Sequence, residues 1–294
     1  MIGRDIRCGE HEFFMTTEIR AFQIFYDART RALLDPGFEP LDNSKNERPD
    51  WFEYWPIRNY LVQHSLDDST LYGFLSPGFR DKTNLGGARV LEFLRRAGDA
   101  DVVTFSPYPC HTACFVNIFE QGEFFHEGLF DATGRFLREL DPAVRLEGLV
   151  MHSRNTVFCN FFFARPRFWK AWLEVFDRLF ALAETKSSPL YAALTRELDY
   201  VRDDGVAKPA QMKIFVMERV VSFLLAGGKF ATRNFPPFEM PLTSGFAAHL
   251  PNLVVYDALK MAYADTGDAH FLDLYKQLRR EALAAVWPGR APRL

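Results

Sequence analysis

The apolar positions of this chain fall into short continuous runs separated by longer amphipathic stretches. AFQIFYD (residues 21–27), LYGFLSP (71–77), ADVVTFSP (100–107) and NTVFCNFFFA (155–164) are of strand length. Such unbroken runs suit strands covered on both faces, and 100–107 reads as a buried parallel strand. Between them the period becomes helical. DWFEYWPIRNYLV reads as a helix that Pro56 kinks or breaks, and GGARVLEFLRRAG places Val90, Leu91 and Leu94 on one face before Gly98 caps it. Further helical stretches run from about Phe115 to Phe125 and from Leu129 to Leu140. Next comes a helix in which Phe168, Trp169, Trp172, Leu173, Phe176, Leu179 and Phe180 recur at i, i+3, i+4 spacing, a core pattern. QMKIFVMERVVSFLLA (211–226) is apolar almost all round, which implies a buried helix, and a helical region closes the chain from about Pro251 to Val286. SSPLYAALTRELDYVRDDGVAKP is polar and irregular, and reads as a mobile loop or subdomain edge.

Strands alternating with helices predict an α/β sheet flanked by helices, with ligands at the carboxyl ends of the strands. The organisation expected is an N-terminal extension over 1–20, one nucleotide-binding α/β domain over 21–240, and a helical C-terminal addition over 241–294. The 294 residues are 48% hydrophobic and 25% charged, an ordinary globular balance. A net charge of −3 without a basic stripe argues against nucleic-acid binding. Cys8, Cys110, Cys114 and Cys159 are too few and too irregular for a disulfide framework, and CHTAC lacks the further ligands a zinc site needs. No apolar run approaches the roughly 20 residues of a membrane span, and MIGRDIRCGEHEFF has no signal-peptide pattern. A cytoplasmic location is expected.

Candidate chemistry gathers at predicted strand ends. DAD (99–101) has the form of a paired-carboxylate metal site, but it precedes its strand and so lies at the amino end, away from the crevice. Two strands end in Ser-Pro. The first, GFLSPGFRDKTNL, supplies Ser76, Arg80, Lys82 and Thr83; the second, TFSPYP, supplies Ser106 and no carboxylate. Those loops either admit a ligand or merely mark turns. On the buried helix Gln211, Glu218 and Ser222 share one line with Arg219 beside it. A carboxylate in such a helix is either salt-bridged, to Arg219 or Arg58, or is a general base. The mixed segment NERPDWFEYWPIRNYL sets Glu53 and Arg58 among aromatics, either satisfying each other or facing a ligand.

The series FQIFYD, PLDNSKNERPDWFEYWPIRNYL, LYGFLSPGFRDKTNL, DVVTFSP, FEQGEFFHEGL, NTVFCNFFFARPRFW and MKIFVMERVVSFLLA resembles bacterial proteins found with polysaccharide and lipopolysaccharide genes. More distantly it is similar to the GT-A glycosyltransferases of capsule and O-antigen synthesis, over roughly residues 22–235. The resemblance implies a GT-A-like, Rossmann-type mixed sheet and a nucleotide-sugar donor bound as substrate, with no cofactor. The D-x-D motif usual after the strand is missing, so a metal-independent reaction is expected. The acceptor would be a glycan or lipid-linked sugar, reached at the inner membrane or among other assembly enzymes. Glu218 would be the base; Lys82, Lys213 and Arg219 would offset the departing diphosphate. Asp42 and Asn43 would hold the base or ribose, Glu53 and Arg58 the nucleotide, with the tryptophans packed under the sheet. Glu120, Glu123 and His126 in FEQGEFFHEG would contact the acceptor sugar or replace Glu218 as base. The alternative is a non-catalytic scaffold of the same fold in a polysaccharide assembly complex.

Overall fold

The computed structural model describes residues 17–201 and 207–290. Cys8, most of the expected N-terminal extension and part of the polar segment near 202–206 lie outside the described residues.

The described residues open with β1 (Ile19–Phe25), the short α1 (Ala28–Arg31) and β2 (Glu39–Asp42), which pairs parallel to β1. A 3-10 turn at Pro49–Trp51 leads into α2 (Tyr54–Gln63), then β3 (Leu71–Leu75), parallel to β1 on its other side. The expected single helix is thus interrupted, though not at Pro56. The break is at Phe52, whose backbone sits at φ 46°, ψ −131°. Pro56 lies in the first turn of α2, where its missing N–H has no intrahelical partner to lose.

The helices α3 (Phe79–Thr83) and α4 (Gly87–Leu94) precede β4 (Val102–Thr104), and α5 (Pro109–Cys114), α6 (Ile118–Phe125) and α7 (Leu129–Leu140) follow it. The run at 155–164 contributes less strand than its composition predicts. Only β5 (Phe162–Ala164) is extended, and it lies antiparallel between β3 and β4. Cys159 and Asn160, at φ 58° and 53°, turn the chain just before it. Then come α8 (Pro166–Glu184), α9 (Tyr191–Thr195), an antiparallel hairpin of β6 (Glu197–Val201) and β7 (Ala207–Gln211), and α10 (Met212–Ala226). The polar segment therefore carries structure of its own at its described ends. Finally β8 (Thr232–Asn234) pairs parallel to β4, and α11 (Leu250–Thr266) and α12 (Ala269–Val286) form a helical hairpin. Among the described residues the result is a six-stranded mixed sheet in the order β2-β1-β3-β5-β4-β8, flanked by helices as in Rossmann-like folds.

The period-2 alternation of the strands divides the core. Phe22, Ile24, Tyr72, Phe74, Val102 and Phe162 point to the face covered by α2, α8 and α10, whereas Leu71, Leu75, Val103, Phe105 and Phe163 point to the face covered by α3 and α4. Gly73 in the middle of β3 has a packing reason. A Cβ there would stand 2.3 Å from the Phe163 ring, which lies against the bare backbone. The tryptophans of 46–61 join the core cluster on the α2, α8 and α10 face of the sheet, where they meet α8. Trp51 and Trp55 stack on Phe180 of α8, at 4.9 and 5.9 Å between ring centroids, and Tyr54 lies among Trp172, Phe176 and Phe180. A third cluster, with Cys110, Cys114, Phe115, Phe246, Leu253, Tyr256 and Tyr275, joins α5 to the C-terminal hairpin. Cys110 and Cys114 are buried there, and burial pushes the Cys114 thiol up to about 12.

Candidate functional site

Five of the six strands point the same way, so their carboxyl ends share one edge of the sheet. Because β5 runs against them, the turn at its amino end comes to that same edge. There the loops enclose a cleft of about 720 Å³, counting the space open to solvent. Ser76 follows β3, Lys82 projects from α3, Cys159 and Asn160 form the turn before β5, Glu53 caps α2, and α10 supplies Ile214, Phe215, Met217 and Glu218. Phe52, exposed and in its left-handed conformation, joins this lining. Three strained non-glycine residues, Phe52, Cys159 and Asn160, thus line one cleft, and such strain persists where surrounding structure enforces it, commonly at functional sites.

The sequence-derived candidates separate accordingly. Glu53, Ser76, Lys82 and Glu218 converge on the cleft. Lys82 Nζ lies 3.7 Å from Cys159 Sγ. Glu53 is only partly exposed and crowded by protein, and this burial raises its carboxyl above the ordinary range; Lys82 opposes the shift and Glu218 adds to it. The Tyr26 hydroxyl, at the end of β1, is buried beside Glu53 and makes no hydrogen bond of normal geometry.

Glu218 is 38% exposed and Arg219 only 3%. The guanidinium approaches Glu218 Oε2 at 3.3 Å, donates to the Phe215 carbonyl at 2.8 Å and reaches Gln121 Oε1 at 3.0 Å, while its Nε is unpaired. Arg219 is therefore behind the carboxylate, not beside a departing phosphate. It holds one oxygen of Glu218 and leaves Oε1 without a protein partner among the described residues. Gln121, with Oε1 engaged by Arg219, turns its amide toward His111 Nδ1 at 3.1 Å. Gly122 makes this possible, since a Cβ there would stand 2.5 Å from Arg219 Nε.

The other candidates lie elsewhere, each for a visible reason. Arg58 pairs with Asp177 at 2.7 Å, so it neutralises neither Glu53 nor Glu218. Lys213 is 2% exposed, bonded to Asp50 at 2.7 Å and set 4.2 Å over the Trp51 ring. The Thr83 hydroxyl donates to the Phe79 carbonyl. Asp42 caps its own turn by accepting from the Ser44 amide, and Asn43 continues β2 by donating to the Phe25 carbonyl. Ser106 accepts from the Phe158 amide and so pins the turn that carries Cys159 and Asn160. Glu120 is buried in a bidentate pair with Arg279, at 2.6 and 2.9 Å. Glu123 accepts from the Gly128 and Phe130 amides at the start of α7. His126 stacks on Phe215, 3.9 Å between centroids, and borders the cleft from behind. At the opposite edge Asp101 of the D-x-D accepts from the Ala231 amide and pairs with Arg167 at 2.8 Å.

Tyr26, Phe52, Cys159 and Asn160 are the site residues that sequence reasoning missed. A polar Cys-Asn step inside an apolar run was the one available signal. No protein-family model, curated protein or solved structure matches this chain, so the reading of the cleft rests on its geometry.

Three histidines behind the cleft and along its loops give a pH-dependent stability. Burial pushes His111 and His152 down to about 4 and His126 to about 3, with Arg219 adding to the effect on His111 and His126. Between pH 6.5 and 4 the unfolded chain binds protons that the native chain refuses, so stability is greatest above pH 6.5 and falls on acidification. The melting temperature should drop steadily from pH 7 to 5, and less steeply in a His152→Asn variant. A flat profile over that interval would contradict the burial of these rings.

Proposed function

We propose that this protein is a glycosyltransferase of the GT-A type, moving a sugar from a nucleotide-sugar donor to a hydroxyl of a glycan or glycolipid. The observation that carries this reading is the convergence of two carboxyl groups and a lysine, Glu53, Glu218 and Lys82, in a cleft at the carboxyl edge of the sheet. The two carboxyls stand in different environments. Glu218 presents a free oxygen to solvent, while Glu53 is in a crowded pocket that favours its protonated form. Carboxyls in such different surroundings suit different tasks, the accessible one that of a base.

In the proposed reaction Glu218 accepts the proton of the acceptor hydroxyl as that oxygen bonds to the anomeric carbon. The bond from that carbon to the phosphate oxygen breaks, and the nucleoside diphosphate leaves with the electron pair. Lys82 offsets the charge that develops on it. Arg219, braced by Gln121 and the Phe215 carbonyl, keeps Glu218 aimed into the cleft. Glu53 hydrogen-bonds a donor-sugar hydroxyl, and Phe52 offers an exposed apolar face to the sugar or base.

A thermal-shift panel of UDP-, GDP-, dTDP- and CMP-sugars tests donor binding. One class should raise the melting temperature saturably, and Lys82→Ala should weaken that class roughly 10-fold, the scale of one charge-assisted hydrogen bond. No saturable shift with any member would sink the transferase reading and leave the scaffold. Unchanged affinity in Lys82→Ala would remove Lys82 from the donor site.

A further inference from the structure

A second, larger cavity of about 1300 Å³, counting its open side, lies between the C-terminal hairpin and α6, α7 and the 147–150 loop. Helix α6 separates it from the cleft, presenting Gln121 to Arg219 on one side and Glu120 to the cavity on the other. Its exposed wall surface is mostly apolar. Val116, Phe130, Val150 and Leu272 are all partly exposed to it, and Leu283 closes the base. The polar groups of the interior satisfy one another, since Glu120 binds Arg279 through both oxygens and Arg279 also donates to the Cys114 carbonyl. The rim is different. Lys276 and Arg280, one turn apart on α12, are exposed and pair with no carboxylate among the described residues; a single acid, Glu147, stands across from them.

A largely apolar trough whose mouth carries two unpaired cations against one acid is complementary to a ligand with a hydrocarbon body and an anionic head. We infer that this cavity binds a phosphorylated single-chain amphiphile, with its chain against Phe130, Val150 and Leu272 and its phosphate at Lys276 and Arg280. A phosphate there gains two charge-assisted contacts and leaves the Glu120–Arg279 pair undisturbed. The inference does not rest on the chemistry assigned to the cleft, and binding is read without any transfer reaction.

The probe is dodecyl phosphate below its micelle concentration, added to the full chain and followed by thermal shift and by calorimetry. It should bind saturably, while inorganic phosphate and dodecyl maltoside at the same concentrations bind at least 10-fold more weakly. The Lys276→Glu/Arg280→Glu variant should lose at least 10-fold in affinity with an unchanged melting temperature without ligand, because neither side chain supports the fold. Leu272→Trp, which fills the trough and leaves the cations, should lose binding as well. Sedimentation with vesicles containing phosphatidic acid, compared with phosphatidylcholine alone, shows whether a bilayer lipid can supply the ligand: cosedimentation that the charge reversal abolishes supports a membrane source, and its absence alongside dodecyl phosphate binding assigns the site to a dispersed amphiphile. Equal binding of inorganic phosphate, equal binding of dodecyl maltoside, or dodecyl phosphate binding that survives the charge reversal would each overturn the inference.

Discussion

Glu218→Gln is expected to lower turnover by about 10²-fold or more, with donor affinity and melting temperature near those of the unaltered protein. Glutamine keeps the shape and can still accept from Arg219, but it cannot take a proton from an acceptor hydroxyl. The effect on stability should stay below about 1 kcal/mol, because Glu218 is 38% exposed and an ion pair so placed contributes little. Arg219 also retains the Phe215 carbonyl and Gln121 as acceptors. Steady-state transfer with the donor class found by the panel, measured alongside thermal unfolding, separates the possibilities. A markedly lower melting temperature with activity intact in the folded fraction would assign Glu218 to structure, and Glu53 would then be the carboxyl to test.

A second large effect is expected far from the cleft. Glu120→Ala should destabilise the chain by about 3–5 kcal/mol, since it leaves the Arg279 guanidinium buried without its partner. In a chain of this size that corresponds to a fall of roughly 5–8 °C in melting temperature. Glu120→Leu combined with Arg279→Met removes both charges together and should recover much of the loss, as apolar replacement of a buried pair often does. Denaturant unfolding of the single and double variants checks this directly. A soluble Glu120→Ala protein that unfolds at the same denaturant concentration as the original would show that the pair does not tie α6 to α12.

Some of the site was legible before any coordinates. The Ser-Pro ending of β3 and the lysine after it were readable as a loop at a strand end, though not as more than a turn, because Gly and Pro punctuate the chain locally. The emergence of Glu218 from an otherwise apolar helix was equally plain. What periodicity could not supply was pairing. Arg58 and Lys213 are basic residues in aromatic surroundings, no different in sequence from a ligand-binding cation, and their partners Asp177 and Asp50 are 119 and 163 residues away. Glu120 and Glu123 sit one helical turn apart and look alike, yet one meets Arg279 from α12 and the other meets the amides that begin α7.

The sequence by itself determined the alternation of strands and helices, the buried character of α8 and α10, and the position of the D-x-D at the amino end of β4, because these depend on local period and chain direction. Only the tertiary structure decided that β5 enters the sheet antiparallel, since strand pairing is a contact between distant segments that no local pattern encodes. That reversal brings the left-handed turn at Cys159 and Asn160 to the cleft edge. The tertiary structure alone also decided which charged side chains meet partners deep in the fold and which line the cleft. Burial makes pairing obligatory, and which carboxylate finds which cation depends on where every helix comes to rest.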